Sequence, residues 1–201
     1  KLEVLKNELK IENQEIEIFY SSSDLTKNES IINLIKIIRE KFSSIDILIN
    51  CAGNFPVKSL SESTIEEYDS CMNLNVRAPF VLSKEFSKDM IKNKWGRIVN
   101  IASSGAYNGL KNTVIYRSSK HALLGLSRSL TNELKEFNVR TYCFSPGPMK
   151  TEMRKEIINK ENHNERFETF MQTNEIAEFL IFAISFENNL ISPEIRVGRI
   201  I

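Results

Sequence analysis

The chain has 201 residues, 41% of them hydrophobic and 26% charged, which suits one domain with a substantial core. Its 27 basic and 26 acidic side chains leave a formal net charge of +1, so neither nucleic acid nor an anionic membrane is an expected partner. There is no apolar run of about 18 residues that would span a bilayer, and the opening KLEVLKNELK is no signal peptide.

KLEVLKNELK reads as a helix already under way, with no cap and no strand before it. EIEIFY, from Glu15, reads as a strand. Ile31, Ile32, Leu34, Ile35 and Ile38 predict a helix over Asn28 to Lys41. IDILIN, from Ile45, is nearly continuous apolar, as in a parallel strand covered on both faces. Ser63 to Met90 form a longer helical pattern, with Ser63 and Glu66 as a capping box. GRIVNIAS from Gly96 and VRTYCFSPG from Val139 are further strands, separated by a helix with Leu123, Leu126, Leu130, Leu134 and Phe137 at 3-4 spacing. A last strand is expected around Glu194 to Val197. Alternating strands and helices predict an α/β domain with a parallel sheet and right-handed crossovers.

Three cysteines, Cys51, Cys71 and Cys143, lack CxxC spacing, which excludes a disulfide framework and a zinc site. They are expected to be small buried side chains in a reducing cytoplasm. His121 and His163 have no spaced partner, so no metal is expected.

Two Tyr-Lys pairs share one spacing. Tyr107 and Lys111 enclose Asn108-Gly109, a turn signal, so no helix sets them on one face. Tyr116 and Lys120 run directly into a helical pattern, and at i and i+4 their side chains are neighbours. A free Tyr has a pKa near ~10, and bringing it to about 7 takes roughly 4 kcal/mol of differential stabilisation. An adjacent ammonium acts in that direction, helped by a cationic cofactor ring. Such a phenol exchanges a proton with a carbonyl or alcohol oxygen. The strand GRIVNIAS ends before Ser103 and Ser104, the next strand ends in SPGP, and IDILIN ends in Cys51-Ala52-Gly53. Ligands of open α/β sheets bind at that edge.

On these residues the chain resembles the short-chain dehydrogenase/reductases, from residue 1 to about residue 190. Asp24-Leu25-Thr26 is similar to the family's acidic site near the adenine. INCAG, Ile49 to Gly53, is similar to its NNAG strand end, with Cys51 in place of the second Asn. Asn75 matches the Asn of the catalytic tetrad, Ser103 the Ser lying 13 positions before Tyr116, and Tyr116 with Lys120 the YxxxK pair. Pro146-Gly147 with Thr151 matches PGxxxT. The resemblance implies a Rossmann-type, doubly wound, three-layer αβα sheet and an NAD(P)-dependent oxidoreductase that interconverts a carbonyl and an alcohol. It assigns Tyr116 as acid/base, Ser103 as hydrogen-bond partner of the substrate oxygen and Lys120 as holder of the nicotinamide ribose and depressor of the Tyr pKa. Asn75 would hold a water in a proton relay. NAD or NADP would contact Asp24, Leu25, Asn50, Ala52, Gly53, Tyr116, Lys120, Pro146, Gly147 and Thr151. Read from the residues alone, Asp24 is equally a cap for the helix after Lys27, and Thr151 for the segment from Glu152.

The family's first strand, Gly-rich turn, helix and second strand have no counterpart before Gly53, the first glycine. The expectation is a fold entered partway, lacking roughly 30–45 residues, which alone would hold a dinucleotide weakly or not at all. The residues that choose NAD or NADP belong to that missing part. Residues 149–173 are the substrate lid that the resemblance implies, with five basic and five acidic side chains and Phe167, Phe170 and Met171. The balanced charge gives no sign of an anionic carrier or phosphate, and the amphipathic lid suits a modest apolar substrate. A 3-oxoacyl thioester, a sugar or polyol and a simple ketone all stay open. The resemblance implies a homodimer or homotetramer, paired through the two long helices on one sheet face. The alternative is a non-catalytic scaffold whose nucleotide site is lost.

Overall fold

The computed structural model describes residues 2–13, 15–155, 167–187 and 191–199. Among them four strands form one parallel sheet in the order β1-β2-β3-β4. They are β1 (Ile47–Asn50), β2 (Gly96–Ile101), β3 (Val139–Pro146) and β4 (Glu194–Val197). Parallel neighbours need crossovers, and helices supply them. α3 (Ile65–Met72) and α4 (Ala78–Asn93) link β1 to β2, α5 (Val114–Leu134) links β2 to β3, and α6 (Thr173–Ile184) lies between β3 and β4. α1 (Leu2–Glu12) and α2 (Asn28–Lys41) precede the sheet. Among the described residues no helix is long and apolar enough to cross a membrane.

The two-residue period of a strand sends neighbouring side chains to opposite faces. Ile98 therefore packs with Ile31 of α2 and Phe86 and Met90 of α4, while Val99 packs with Leu180 and Ile184 of α6. Helices cover both faces, giving the three-layer Rossmann-type architecture. Where α4 runs into β2 the backbone passes tight against Met90, and a Cβ at Gly96 would lie 2.4 Å from Met90 Cγ. Only glycine fits there.

Several expectations change. EIEIFY forms no strand, because residues 16–20 find no ladder partner among the described residues. The helix expected from Ser63 is capped one residue later: Thr64 Oγ1 accepts from Glu67 N at 3.2 Å and Glu67 carboxylate accepts from Thr64 N at 3.1 Å. It is also not one helix, since a π-helical turn, Asn73–Arg77, separates α3 from α4. Cys71 and Cys143 are buried, but Cys51 is exposed. It continues the alternation of Ile47 and Ile49, both about half exposed, on a part of the sheet face that no described helix covers.

Candidate active site

β2 and β3 end side by side, and α5 starts beneath the loop that follows β2. A cavity of about 240 Å³ opens there, walled by Ser103, Tyr116, Pro146, Gly147 and Thr151 together with Phe55. Five residues assigned from sequence thus meet in one place. Ser103 stands beside Tyr116 in this wall, and its Oγ accepts from Gly105 N at 3.0 Å, which fixes the rotamer.

Behind this wall lie Lys120, Asn75 and Gly53. Lys120 is buried, and its Nζ donates to Ile101 O at 2.8 Å. Asn75 is wholly buried on the π-helical turn. Its Oδ1 accepts from Asn54 N at 3.0 Å; its Nδ2 donates to Asn54 O at 3.1 Å and to Ser119 Oγ at 2.9 Å. The side chain therefore pins the loop after β1 to α5, so any water in a relay meets a side-chain amide already engaged on both ends. π-turns recur at functional sites because the extra residue re-aims a side chain. A Cβ at Gly53 would sit 3.1 Å from Asn75 Oδ1 and 3.7 Å from Lys120 Nζ.

Electrostatics follow burial. Loss of solvent raises the Tyr116 pKa above its ordinary value, opposed by the Ser103 hydrogen bond and the charges of Arg117 and Arg154. Burial likewise pushes Lys120 down to about 8. The expected lowering of the phenol pKa by Lys120 is not what the structure shows. The ammonium is turned to the Ile101 carbonyl, 5.8 Å from the Tyr116 ring centre, and burial dominates.

Other assigned residues lie elsewhere. Asn50 donates to Asn100 Oδ1 at 2.8 Å, and Asn100 to Ser127 Oγ at 3.0 Å, so its side chain locks β1 to β2 and, through Asn100, to α5. Leu25 packs into the core around α2 and α4. Asp24 is exposed, and its carboxylate accepts from Thr26 N at 3.0 Å and from Thr26 Oγ1 at 2.6 Å; it caps no helix. Ala52 is exposed. Thr151 does cap, accepting from Arg154 N at 3.2 Å. The two ends of the 149–173 segment are joined, with Lys150 N donating to Met171 O at 2.9 Å and Met171 N to Pro148 O at 3.2 Å. Its residues 156–166, with Lys160, His163 and Arg166, lie outside the described residues. The decoy pair separates: Tyr107 turns to Glu194 and stacks under Arg196, while Lys111 is exposed.

Sequence reasoning missed Phe55, whose ring stacks on Tyr116 with centres 3.9 Å apart, and Arg154, Arg117 and Ser119. Phe55 follows a strand end in a loop with no periodicity to expose it, and Arg154 was one charge among ten in the lid.

The residues fit a dinucleotide. Among the described residues the Lys120 ammonium meets one acceptor, leaving two N–H groups for vicinal hydroxyls. Asn54 Oδ1, buried beside Gly53, has no hydrogen-bond partner among the described residues.

The chain is similar to proteins that share this architecture. It is 30% identical over 146 residues to an uncharacterized oxidoreductase of Thermotoga maritima, covering 72% of this chain and 57% of that protein. It is 35% identical over 134 residues to a 3-oxoacyl-(acyl-carrier-protein) reductase of Buchnera aphidicola subsp. Schizaphis graminum, covering 67% and 55%. A solved 4-hydroxyisoleucine dehydrogenase complexed with NADH superposes with a TM-score of 0.75 at 29% identity, covering 87% of this chain and 77% of that one. The chain spans about half the length of the curated relatives it matches. A family model described as short chain dehydrogenase matches residues 1–162, and the chain belongs to that family.

Proposed function

We propose that this chain carries the proton-transfer half of an NAD(P)-dependent oxidoreductase that interconverts a carbonyl and an alcohol. The observation that carries the reading is that Ser103 and Tyr116 share one cavity wall, with buried Lys120 behind it, at the carboxyl edge of a parallel sheet. A bound nicotinamide supplies or takes the hydride. Tyr116, kept protonated by burial, gives its proton to a carbonyl oxygen in the reductive direction. Ser103 donates to or accepts from that oxygen and orients it. Lys120 holds the nicotinamide ribose through its two remaining N–H groups. Asn75 acts as a positioning residue through Asn54 and Ser119. Gly53, Pro146, Gly147 and Thr151 leave room for the dinucleotide, Asp24 is assigned to its adenine end, and residues 149–173 act as lid.

Relatives support the cofactor class, since the similar 4-hydroxyisoleucine dehydrogenase is complexed with NADH. The test uses the full-length protein with NADH and with NADPH against a panel of ketones and aldehydes, followed by loss of reduced-nicotinamide absorbance. Turnover with either cofactor is expected. No dinucleotide binding and no turnover of any carbonyl would point to a scaffold with a lost nucleotide site instead.

A further inference from the structure

The ring of Phe55 lies on the ring of Tyr116, with centres 3.9 Å and planes 29° apart. Every other aromatic pair among the described residues is tilted or edge-on, with centres at least 5.7 Å apart. Tilted and edge-on contacts are the arrangement that ring quadrupoles favour in ordinary packing. A close face contact on the tyrosine of the cavity wall has to be held in place.

The backbone holds it. Phe55 stands in the loop after β1, and that loop is tied down on both sides of the ring. Before it, Asn54 N donates to Asn75 Oδ1 and Asn54 O accepts from Asn75 Nδ2. After it, Lys58 N donates to Asn112 O at 2.8 Å, and the Lys58 ammonium pairs with Glu67 of α3. The same Asn75 reaches Tyr116 through Ser119, whose hydroxyl donates to the Tyr116 carbonyl at 2.7 Å. One buried amide thus anchors the backbone beside both rings. The phenol is bounded at an edge as well, since a Cβ at Gly105 would lie 3.5 Å from Tyr116 Cε1.

We propose that Phe55 is a positioning residue for the proton donor: its ring holds the Tyr116 phenol in the cavity wall and keeps water off one of its faces. The consequence for proton transfer rests on the oxidoreductase reading above; the role of the ring does not. A phenol free to turn is aligned with a carbonyl oxygen less often, which lowers turnover more than substrate affinity. A phenol face open to water favours the phenolate, so the Tyr116 pKa, which burial raises, should fall. The other groups that bear on the phenol are Arg117 and Lys120 of α5, Cys71 of α3 and Arg154 of the lid. Arg154 also flanks Phe55, 5.9 Å from its ring centre, so its response has to be separated from that of water.

The test makes two measurements on the full-length protein. Ultraviolet phenolate absorbance is titrated for the unsubstituted chain and for Phe55→Ala, each less its Tyr116→Phe counterpart. Phe55→Ala should lower the Tyr116 pKa, and the fall should persist in an Arg154→Gln background, where no guanidinium can move in to cause it. Steady-state reduction is then followed with a carbonyl from the panel above. Phe55→Ala should lower kcat about 2- to 10-fold, the worth of an aromatic stack, with KM little changed. Phe55→Tyr, which keeps the ring, should retain turnover. An unshifted pKa, a fall that vanishes with Arg154→Gln, or a raised KM with kcat unchanged overturns the proposal and leaves the oxidoreductase reading standing. A lowered pKa in a protein that reduces no carbonyl upholds the role of the ring and removes that reading.

Discussion

Asn75 Nδ2 donates to Ser119 Oγ at 2.9 Å, and the Ser119 hydroxyl donates to the Tyr116 carbonyl at 2.7 Å. The turn between α3 and α4 is thereby tied to the start of α5. Asn75→Ala would orphan Asn54 N, Asn54 O and this contact inside the protein. Leaving a buried polar group unpaired costs about 1–3 kcal/mol, so chemical denaturation should show a loss of at least that size. A loss under about 0.5 kcal/mol would mean the amide is not holding the loop.

Lys120 gives a pH signature. Its folded-state pKa of about 8 lies below the ordinary 10.5. Below about pH 8 both states are protonated and the folded chain bears the full cost of a buried ammonium. Between about 8 and 10.5 the folded state sheds the proton first, so that cost is relieved as pH rises. The stability of Lys120→Met minus that of the unsubstituted chain should therefore be largest at neutral pH. It should shrink by up to about 3 kcal/mol toward pH 10.5. A difference flat in pH contradicts the burial argument.

The cap of α3 separates two adjacent residues. Thr64→Ala removes half of a capping box and should cost about 1 kcal/mol. Ser63→Ala loses only the hydroxyl bond to Ser59 O, 2.9 Å long, and should cost less in the same thermal melts. The reverse order would restore the cap to Ser63.

What the sequence made legible was what has a period or a local code. Asn28–Lys41 is a helix over the range its isoleucines mark, and β2 and β3 stand where continuous apolar runs put them. Ser103 and Tyr116 were legible through spacing, and Thr151 through cap chemistry. The π-turn at Asn73–Arg77 was not, because an inserted residue leaves the apolar pattern nearly unchanged while shifting everything after it. EIEIFY carries strand propensity, but a strand exists only with a partner. Asn50 matched a motif, yet whether its amide faces a ligand or Asn100 depends on a contact 50 positions away. Phe55 and Arg154 likewise meet Tyr116 only once the chain has folded.

Assembly is open to a direct check. α4 and α5 lie on one sheet face and leave Phe80 and Val114 each 47% exposed, apolar surface of the sort that an isologous interface covers. The full-length protein is expected to sediment as a dimer or tetramer at micromolar concentration, and Phe80→Glu should shift it toward monomer. A monomeric unsubstituted protein contradicts this.

The central claim is that Tyr116, and not its decoy, moves the proton. The decisive measurement is steady-state carbonyl reduction by the full-length protein across pH for Tyr116→Phe and Lys111→Ala, with dinucleotide affinity determined in parallel. Tyr116→Phe should bind the dinucleotide as before and lose about 10²–10⁴-fold in turnover, the usual worth of a general acid. Lys111→Ala, at an exposed side chain, should be silent. Full turnover by Tyr116→Phe, or a loss confined to Lys111→Ala, would contradict the assignment.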